Sequence, residues 1–155
     1  MNRRVWLAVL AGAAGGTVAI GLMEFFAARN TMPVMAVPFA TSIVLVLGSP
    51  EVEAAQPRAL IGGHLLSTLV GLIVLNLAGP APWAAALAVG IAMAAMHATR
   101  TFHPPAGIDP LLVVVDAMPW TFLFIPVAVG ALALAMFAYV WHLAVRRFAW
   151  PTRWW

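Results

Sequence analysis

The segment RTFHPPAGIDPLLVVV, residues 100–115, places ionisable side chains and two prolines directly before an apolar run. Arg100, His103 and Asp109 could bind a small ion or transfer a proton, because ionisable side chains at membrane depth usually mark an ion or proton pathway. Standard catalytic and phosphate-binding signatures are missing from the sequence. We therefore predict ion or proton handling rather than an enzyme, with no cofactor.

Two further histidines extend the set of candidates. His64 follows Gly63, which leaves room for a close neighbour, either a substrate or another helix. His97 and Arg100 are one helical turn apart, and Arg100 marks either a membrane interface or a ligand site. A metal site built from His64, His97, His103 and Asp109 is conceivable, although no standard ligand spacing supports it.

The composition indicates an integral membrane protein. Of the 155 residues, 64% are hydrophobic and only 8% are charged, whereas soluble domains carry about 25% charged residues. All basic residues are arginines at the ends of apolar segments, which is typical of topology determinants and excludes a nucleic-acid partner. The Ala- and Arg-rich composition without lysine indicates a GC-rich bacterial genome, and hence the bacterial inner membrane.

Six apolar segments follow one another along a single domain, residues 1–155. A spanning helix needs about 20 residues, and the first segment continues well past the length of a signal-peptide core. The four segments of sufficient length are 5–28, 60–79, 82–100 and 119–145, and the two shorter ones are 33–48 and 103–117.

The two short segments resemble each other. Aligning Pro38 with Pro105 places Ser42 on Asp109, each directly before an apolar run. Serine and aspartate are favoured helix N-caps, and Pro110 suits the first helical position. Each short segment therefore predicts an extended, proline-rich lead followed by a half-helix.

The whole pattern predicts an all-α membrane protein with four long helices and two proline-broken elements. Repeat 1, about 5–79, and repeat 2, about 82–145, would form an inverted repeat if both short elements cross. Six crossings place Arg58 and Arg100 in the cytoplasm together with both termini, whereas four crossings move them outside. The excess of arginine on cytoplasmic sides favours six crossings.

Two half-helices that begin near the middle of the membrane would direct free N–H groups and positive dipole ends at one site, as a small anion requires. Asp109 would compete with such an anion. Arg100 or a histidine could offset its charge, the carboxyl group could be protonated, or the site could take a cation or a proton.

Three motifs in this order carry a family resemblance: PF-x-x-S at 38–42, QPR followed by GGH at 56–64, and HPP at 103–105. The chain resembles the HPP family of small membrane proteins. The resemblance implies a transporter, with nitrite as the substrate of plastid and cyanobacterial relatives. Many members carry small or hydroxyl residues where this chain has Ile108, Asp109 and Pro110. By motif the resemblance implies substrate-binding roles for Pro38, Phe39, Ser42, Gln56, Pro57, Arg58, Gly63, His64, His103, Pro104 and Pro105, to which Arg100 and Asp109 are added from the residues themselves.

We therefore expect a transporter or channel for a small inorganic anion in the lipid bilayer, with nitrite as the leading candidate. The alternatives are a proton- or cation-coupled carrier that uses Asp109, and a non-transporting assembly or scaffold protein. Small residues one turn apart, Gly12 with Gly16 and Gly63 with Ser67 and Gly71, also predict a homo-oligomer, a dimer in the simplest case.

Overall fold

A computed structural model describes residues 2–29, 37–147 and 149–154, and within these ranges the chain is helical without any strand. The six α-helices are α1 (Arg3–Arg29), α2 (Val37–Gly48), α3 (Pro57–Ala78), α4 (Pro82–Ala98), α5 (Ile108–Val115) and α6 (Val129–Trp141). Short 3-10 turns cover Glu53–Ala55, Pro104–Gly107 and Trp120–Leu123, and π-helical turns cover Phe124–Ala128 and His142–Arg146.

Three of the four predicted long segments are long and apolar enough to cross a membrane: Arg3–Arg29, Pro57–Ala78 and Trp120–Arg146. The predicted span 82–100 is a helix of 17 residues, shorter than expected. The last span is also not one continuous α-helix, because the backbone is extended at Ile125 (φ −129°, ψ 114°). Pro126 explains this break, since proline lacks an N–H and disfavours helical geometry in the residue before it.

The prediction of an extended lead before the first half-helix was wrong. Helix α2 already begins at Val37, so Pro38 and Ser42 both lie inside it. Pro38 is tolerated there because N–H groups of the first turn have no partner within the helix. Ser42 is therefore not an N-cap, and its hydroxyl lies 3.5 Å from the carbonyl of Pro38 one turn earlier. Residues 33–36 of the predicted segment lie outside the described residues.

The second short segment is also more helical than predicted. Only His103 is extended, and Pro104–Gly107 already form a 3-10 turn that leads directly into α5. Asp109 lies in the first turn of α5 without a capping hydrogen bond, and Pro110 is the third helical residue rather than the first. Residues 104–115 together rise roughly 20 Å, less than the ~30 Å hydrocarbon core of a bilayer.

Glycines set the spacing between α3 and the segment 101–110. A Cβ atom at Gly63 would lie 2.6 Å from the Cβ of His103, and one at Gly71 would lie 2.7 Å from the Cα of Pro110. Both distances are too short for real atoms, so the approach depends on the absence of a side chain. Because Gly63 faces His103 and Gly71 faces Pro110, α5 runs parallel to α3.

Contacts between the other helices show that consecutive helices run in alternating directions. Helix α2 is antiparallel to α1, since Gly12 approaches the carbonyl of Leu47 at one end and Val37 lies beside Met23 at the other. Helix α6 is parallel to α2, because Phe39 packs against Gly130 and the His142 ring bonds the carbonyl of Val46.

The basic residues that decide between four and six crossings lie at one end of the molecule. Arg58, Arg100 and Arg153 line the same pocket. Six crossings put these three arginines on one side, whereas four would separate Arg153 from the other two. The arrangement agrees with the six-crossing interpretation, and the number of crossings itself stays a prediction.

Candidate functional site

Four of the predicted site residues form one hydrogen-bonded group, which we call the buried cluster: Ser42, His64, His103 and Asp109. His64 is central, with Nε2 lying 2.8 Å from Ser42 Oγ and Nδ1 lying 2.7 Å from Asp109 Oδ2. Ser42 Oγ is also 2.9 Å from Nε2 of His103. All four residues are 0% exposed, so the cluster is closed in this conformation.

Each member comes from a different element. Ser42 lies in α2 and His64 in α3, while His103 precedes the 3-10 turn and Asp109 belongs to the first turn of α5. The close approach at Gly63 brings His103 against α3. The two residues aligned as N-caps in sequence, Ser42 and Asp109, instead bind the two nitrogens of one imidazole.

Three further groups support the cluster and were not predicted. Thr68 Oγ1 donates to Asp109 Oδ2 at 3.2 Å, Ser67 Oγ donates to the carbonyl of Ala106 at 2.6 Å, and the carbonyl of Ala54 lies 2.6 Å from His103 Nδ1. Thr68 follows His64 by one helical turn, so its place on the same face could have been predicted. The Ala54 carbonyl has no sequence signal, because any residue supplies one.

The predicted aromatic and proline residues shape this group. The Phe39 ring lies 4.7 Å from the His64 ring, centroid to centroid. Pro104 and Pro105 form the 3-10 turn that follows His103 and leads into α5. These residues position the cluster and contribute no polar side-chain atom to it.

The contact between His103 and the Ala54 carbonyl determines which atoms of the cluster donate and which accept. A carbonyl oxygen only accepts, so His103 Nδ1 carries a hydrogen that it donates to Ala54. A neutral His103 then accepts at Nε2 from the Ser42 hydroxyl, and Ser42 accepts in turn from His64 Nε2. A single hydrogen is left for the contact between His64 Nδ1 and Asp109 Oδ2.

The hydrogen-bond partner of Asp109 on this side is a histidine and not Arg100. His64 and Asp109 form the one ion-pair contact found among the described residues. Within the same residues Asp109 Oδ1 has no hydrogen-bond partner. Burying a carboxylate that has one oxygen without a hydrogen-bond partner costs on the order of several kcal/mol, as losing a hydrogen bond to a buried charged group does. The neutral acid, which donates to His64, is therefore the favoured form in this closed state.

The predicted meeting of two half-helix N-termini is wrong. Helix α2 begins at Val37 next to Met23 and Glu24 of α1, whereas Asp109 in the first turn of α5 lies beside His64 and Thr68. Because Ser42 lies well inside α2, only α5 contributes its first turn to the cluster. The site is thus made by side chains rather than by paired helix dipoles.

Other predicted residues lie around a separate open pocket of about 550 Å³, which we call the arginine pocket. The Arg58 guanidinium donates to the carbonyl of Thr99 at 2.8 Å, and Pro57 is the first residue of α3. The lining includes Ala54, whose carbonyl accepts a hydrogen bond from His103, so the pocket borders the buried cluster. The charged and aromatic residues that line the pocket are Glu53, Arg58, His97, Arg100, Phe102, Arg153 and Trp154.

The conceivable four-residue metal site does not form. The His97 ring stacks on Phe102 with 4.0 Å between centroids and lines the arginine pocket instead of joining the cluster. In the ranges that the structure describes, no group of three or more histidine, aspartate or glutamate side chains is arranged to hold a metal ion.

Fold and cluster together define a multi-pass integral membrane protein with an ionisable group buried among its helices. Residues 1–151 match the family model described as "HPP, transmembrane region". The chain belongs to the HPP family, as the three motifs predicted.

Two transmembrane proteins of Dictyostelium discoideum are similar to the chain. One is 37% identical over 76% of this chain and 40% of its own length. The other is 33% identical over 97% of this chain and 54% of its own length. The chain thus spans about half the length of these relatives or less. No solved structure matches it.

Proposed function

We propose that this protein carries a small inorganic anion across the membrane together with a proton. Nitrite is the leading candidate anion, because the HPP resemblance implies it. The observation that carries the proposal is the buried hydrogen-bonded cluster of two histidines, a serine and an aspartate, which is 0% exposed yet ionisable. Ionisable side chains at membrane depth are costly and usually serve ion or proton movement.

Charge balance gives the physical reason for coupling. With one hydrogen shared between His64 and Asp109 and a neutral His103, the cluster has no net charge. A second proton would make it cationic, and an unpaired buried charge is strongly disfavoured. A monovalent anion beside the histidines would neutralise that charge. Proton and anion therefore favour each other's binding, and by linkage each raises the affinity for the other by the same factor.

Access to the cluster requires a movement of the helices that enclose it. None of its four side chains is exposed, so an anion reaches them only after α2 or the 103–115 segment shifts. The arginine pocket supports entry from its side, since Ala54 lines the pocket and its carbonyl holds His103. When His103 leaves Ala54, its Nδ1–H becomes available to the anion.

The order Asp109, His64, Ser42 is also that of a hydrolytic triad, in which a histidine activates a serine hydroxyl. Two observations favour proton transfer over nucleophilic attack. The Ser42 hydroxyl donates to a second histidine, and Ser42 lines none of the three pockets described along the chain. A hydrolase would need that oxygen beside a substrate cavity.

In the membrane we propose an inverted repeat of three segments each, with both termini in the cytoplasm of a bacterium. The alternating helix directions and the shared position of Arg58, Arg100 and Arg153 support this orientation. A homo-oligomer would use the face of α1 around Gly21, since a Cβ at Gly21 meets nothing within 4 Å. The detergent-corrected particle mass in nanodiscs tests this part, and the mass of one chain would rule it out.

The test of transport is flux into proteoliposomes that contain a pH-sensitive dye. We expect nitrite uptake to increase with an inward proton gradient and to acidify the lumen, with nitrate, formate and chloride as competing substrates. Ser42→Ala should reduce gradient-driven uptake by about tenfold or more, because it breaks the connection between the two histidines. The matched control is Thr41→Ala, which removes a hydroxyl from the exposed neighbouring residue and should transport like the parent.

Two results would contradict the proposal. If none of the four anions enters faster than into empty liposomes, the protein is not an anion carrier, and a scaffold role becomes the better explanation. If nitrite enters without any proton movement, or if Ser42→Ala and Thr41→Ala behave alike, the cluster is not the coupling device.

A further inference from the structure

The arginine pocket is rich in positive charge. Among its lining residues that the structure describes are three arginines and a single carboxylate, that of Glu53. Arg58 is engaged with the carbonyl of Thr99. Neither Arg100 nor Arg153 forms a salt bridge with any residue that the structure describes. Charge of one sign that is gathered in a concave site attracts ions of the opposite sign.

Arg100 is placed by an unfavourable backbone conformation. Helix α4 ends with hydrogen bonds from Thr101 N to Met96 O, 2.9 Å, and from Arg100 N to His97 O, 3.2 Å. These two bonds form a Schellman motif, in which the residue after the C-cap is left-handed. That residue is Arg100, with a φ of 57°. Glycine usually occupies that position because it adopts this φ without strain. Arg100 therefore occupies a position that glycine usually takes, and it lines the pocket.

Arg153 and Trp154 are held at the pocket by a buried amide. Gln56 is 4% exposed, and its Oε1 accepts from the backbone N–H groups of Thr152, 2.9 Å, and Arg153, 3.3 Å. Its Nε2 donates to the carbonyls of Pro50 and Val52. Every hydrogen-bonding atom of the amide thus fastens the C-terminal segment to the loop before α3, which fixes the third arginine of the pocket.

We propose that the arginine pocket is a second binding site, for a multivalent oxyanion of phosphate chemistry. Guanidinium groups bind phosphate oxygens through paired hydrogen bonds, and two arginines at the pocket, Arg100 and Arg153, suit a ligand with more than one negative charge. The volume of about 550 Å³ is in the range of ligand sites and far exceeds the size of a three-atom anion. This site does not rest on the proposed transport.

Phosphate chemistry at the end of a helix bundle could come from a soluble phosphate compound or from a lipid headgroup. Both would present the same oxygens to Arg100 and Arg153. The aromatic side chains at the pocket, Phe102 and Trp154, suit either source, since tryptophan is common at headgroup depth and also packs against ligands.

Calorimetric titration of the purified full chain with inorganic pyrophosphate, at constant ionic strength, tests the site. We expect saturable binding that weakens by about tenfold or more in Arg100→Gly and in Arg153→Ala, which each lose one charged contact. Arg100→Gly suits the backbone, so it should fold at least as well as the parent. Gln56→Leu, which releases the C-terminal segment, should weaken binding as Arg153→Ala does.

The matched control is Arg147→Ala, which removes one charge at an exposed residue outside the pocket. Unchanged affinity in this variant supports the site. Equal weakening in all arginine variants, or no saturable binding by the parent, overturns it. In nanodiscs of phosphatidylcholine, added phosphatidylglycerol that suppresses pyrophosphate binding would assign the site to a lipid headgroup, and unchanged binding would assign it to a soluble anion. Because no gradient is involved, a failure of transport leaves these results unaffected.

Discussion

At the residue scale, His64 is the centre of the buried cluster. Its two nitrogens lie 2.8 Å and 2.7 Å from Ser42 and Asp109, so a single imidazole connects α2 with α5. The ring is fully buried and tilted against the ring of Phe39. A histidine with both nitrogens bonded in this way is held in one orientation, which a proton relay needs.

Replacing Asp109 by asparagine separates the structural role of this residue from its proton. The asparagine amide donates a hydrogen bond to His64 Nδ1 as the neutral acid does, but it releases no proton. We expect gradient-driven nitrite flux to fall by about tenfold or more, while passive flux stays within about twofold of the parent. Asp116→Asn, at the exposed end of α5, is the control and should keep coupled flux. An Asp109→Asn protein that still acidifies the lumen would show that the proton uses another route.

At the element scale, the packing of α3 against the 101–110 segment holds the cluster together. Gly63, Ser67 and Gly71, which were predicted as an oligomer face, are used inside the chain. Gly63 and Gly71 admit His103 and Pro110, and Ser67 bonds the carbonyl of Ala106. This face is therefore not available to a second copy.

Gly71→Ala should destabilise the protein by about 1–3 kcal/mol, the range for overpacking a close contact. The added Cβ would be 2.7 Å from the Cα of Pro110, a backbone atom that gives way only if α5 moves. Gly90→Ala is the matched control, because its Cβ meets nothing within 4 Å and alanine is the better helix former by about 0.5–1 kcal/mol. Thermal unfolding in detergent should show a lower midpoint for the first variant and an equal or higher one for the second. Equal midpoints would contradict the close packing of these helices.

At the scale of the whole molecule, the alternating helix directions place the loop around Glu51 and the turn around Ala117 at opposite ends. Cysteines introduced at either exposed position are the sole thiols, since the chain has none. With six crossings, an impermeant maleimide should label Glu51→Cys only in inverted vesicles and Ala117→Cys only in right-side-out vesicles. Labelling of both positions from one side would contradict the six-crossing arrangement and the inverted repeat.

The sequence alone determined the class of protein, the family and the residues of interest. Composition and the length of the apolar segments suffice to predict a membrane protein. Its segments must then be helical, because exposing polar backbone to lipid is costly. Pro104 and Pro105 located the 3-10 turn that leads into α5, since proline restricts its own and the preceding backbone, whereas Pro38 did not interrupt α2. Ser42, His64, His103 and Asp109 were all among the predicted site residues.

Only the tertiary structure decided what these residues do together. Ser42 and Asp109 were predicted as caps from local preferences, yet tertiary contacts with His64 replaced the capping bonds. The partners in the cluster are 22, 45 and 61 positions apart in the chain, and the backbone carbonyl that orients His103 could belong to any residue. Such contacts depend on how closely helices approach at a few glycines, and this distance is a property of the packed chain that local sequence does not specify.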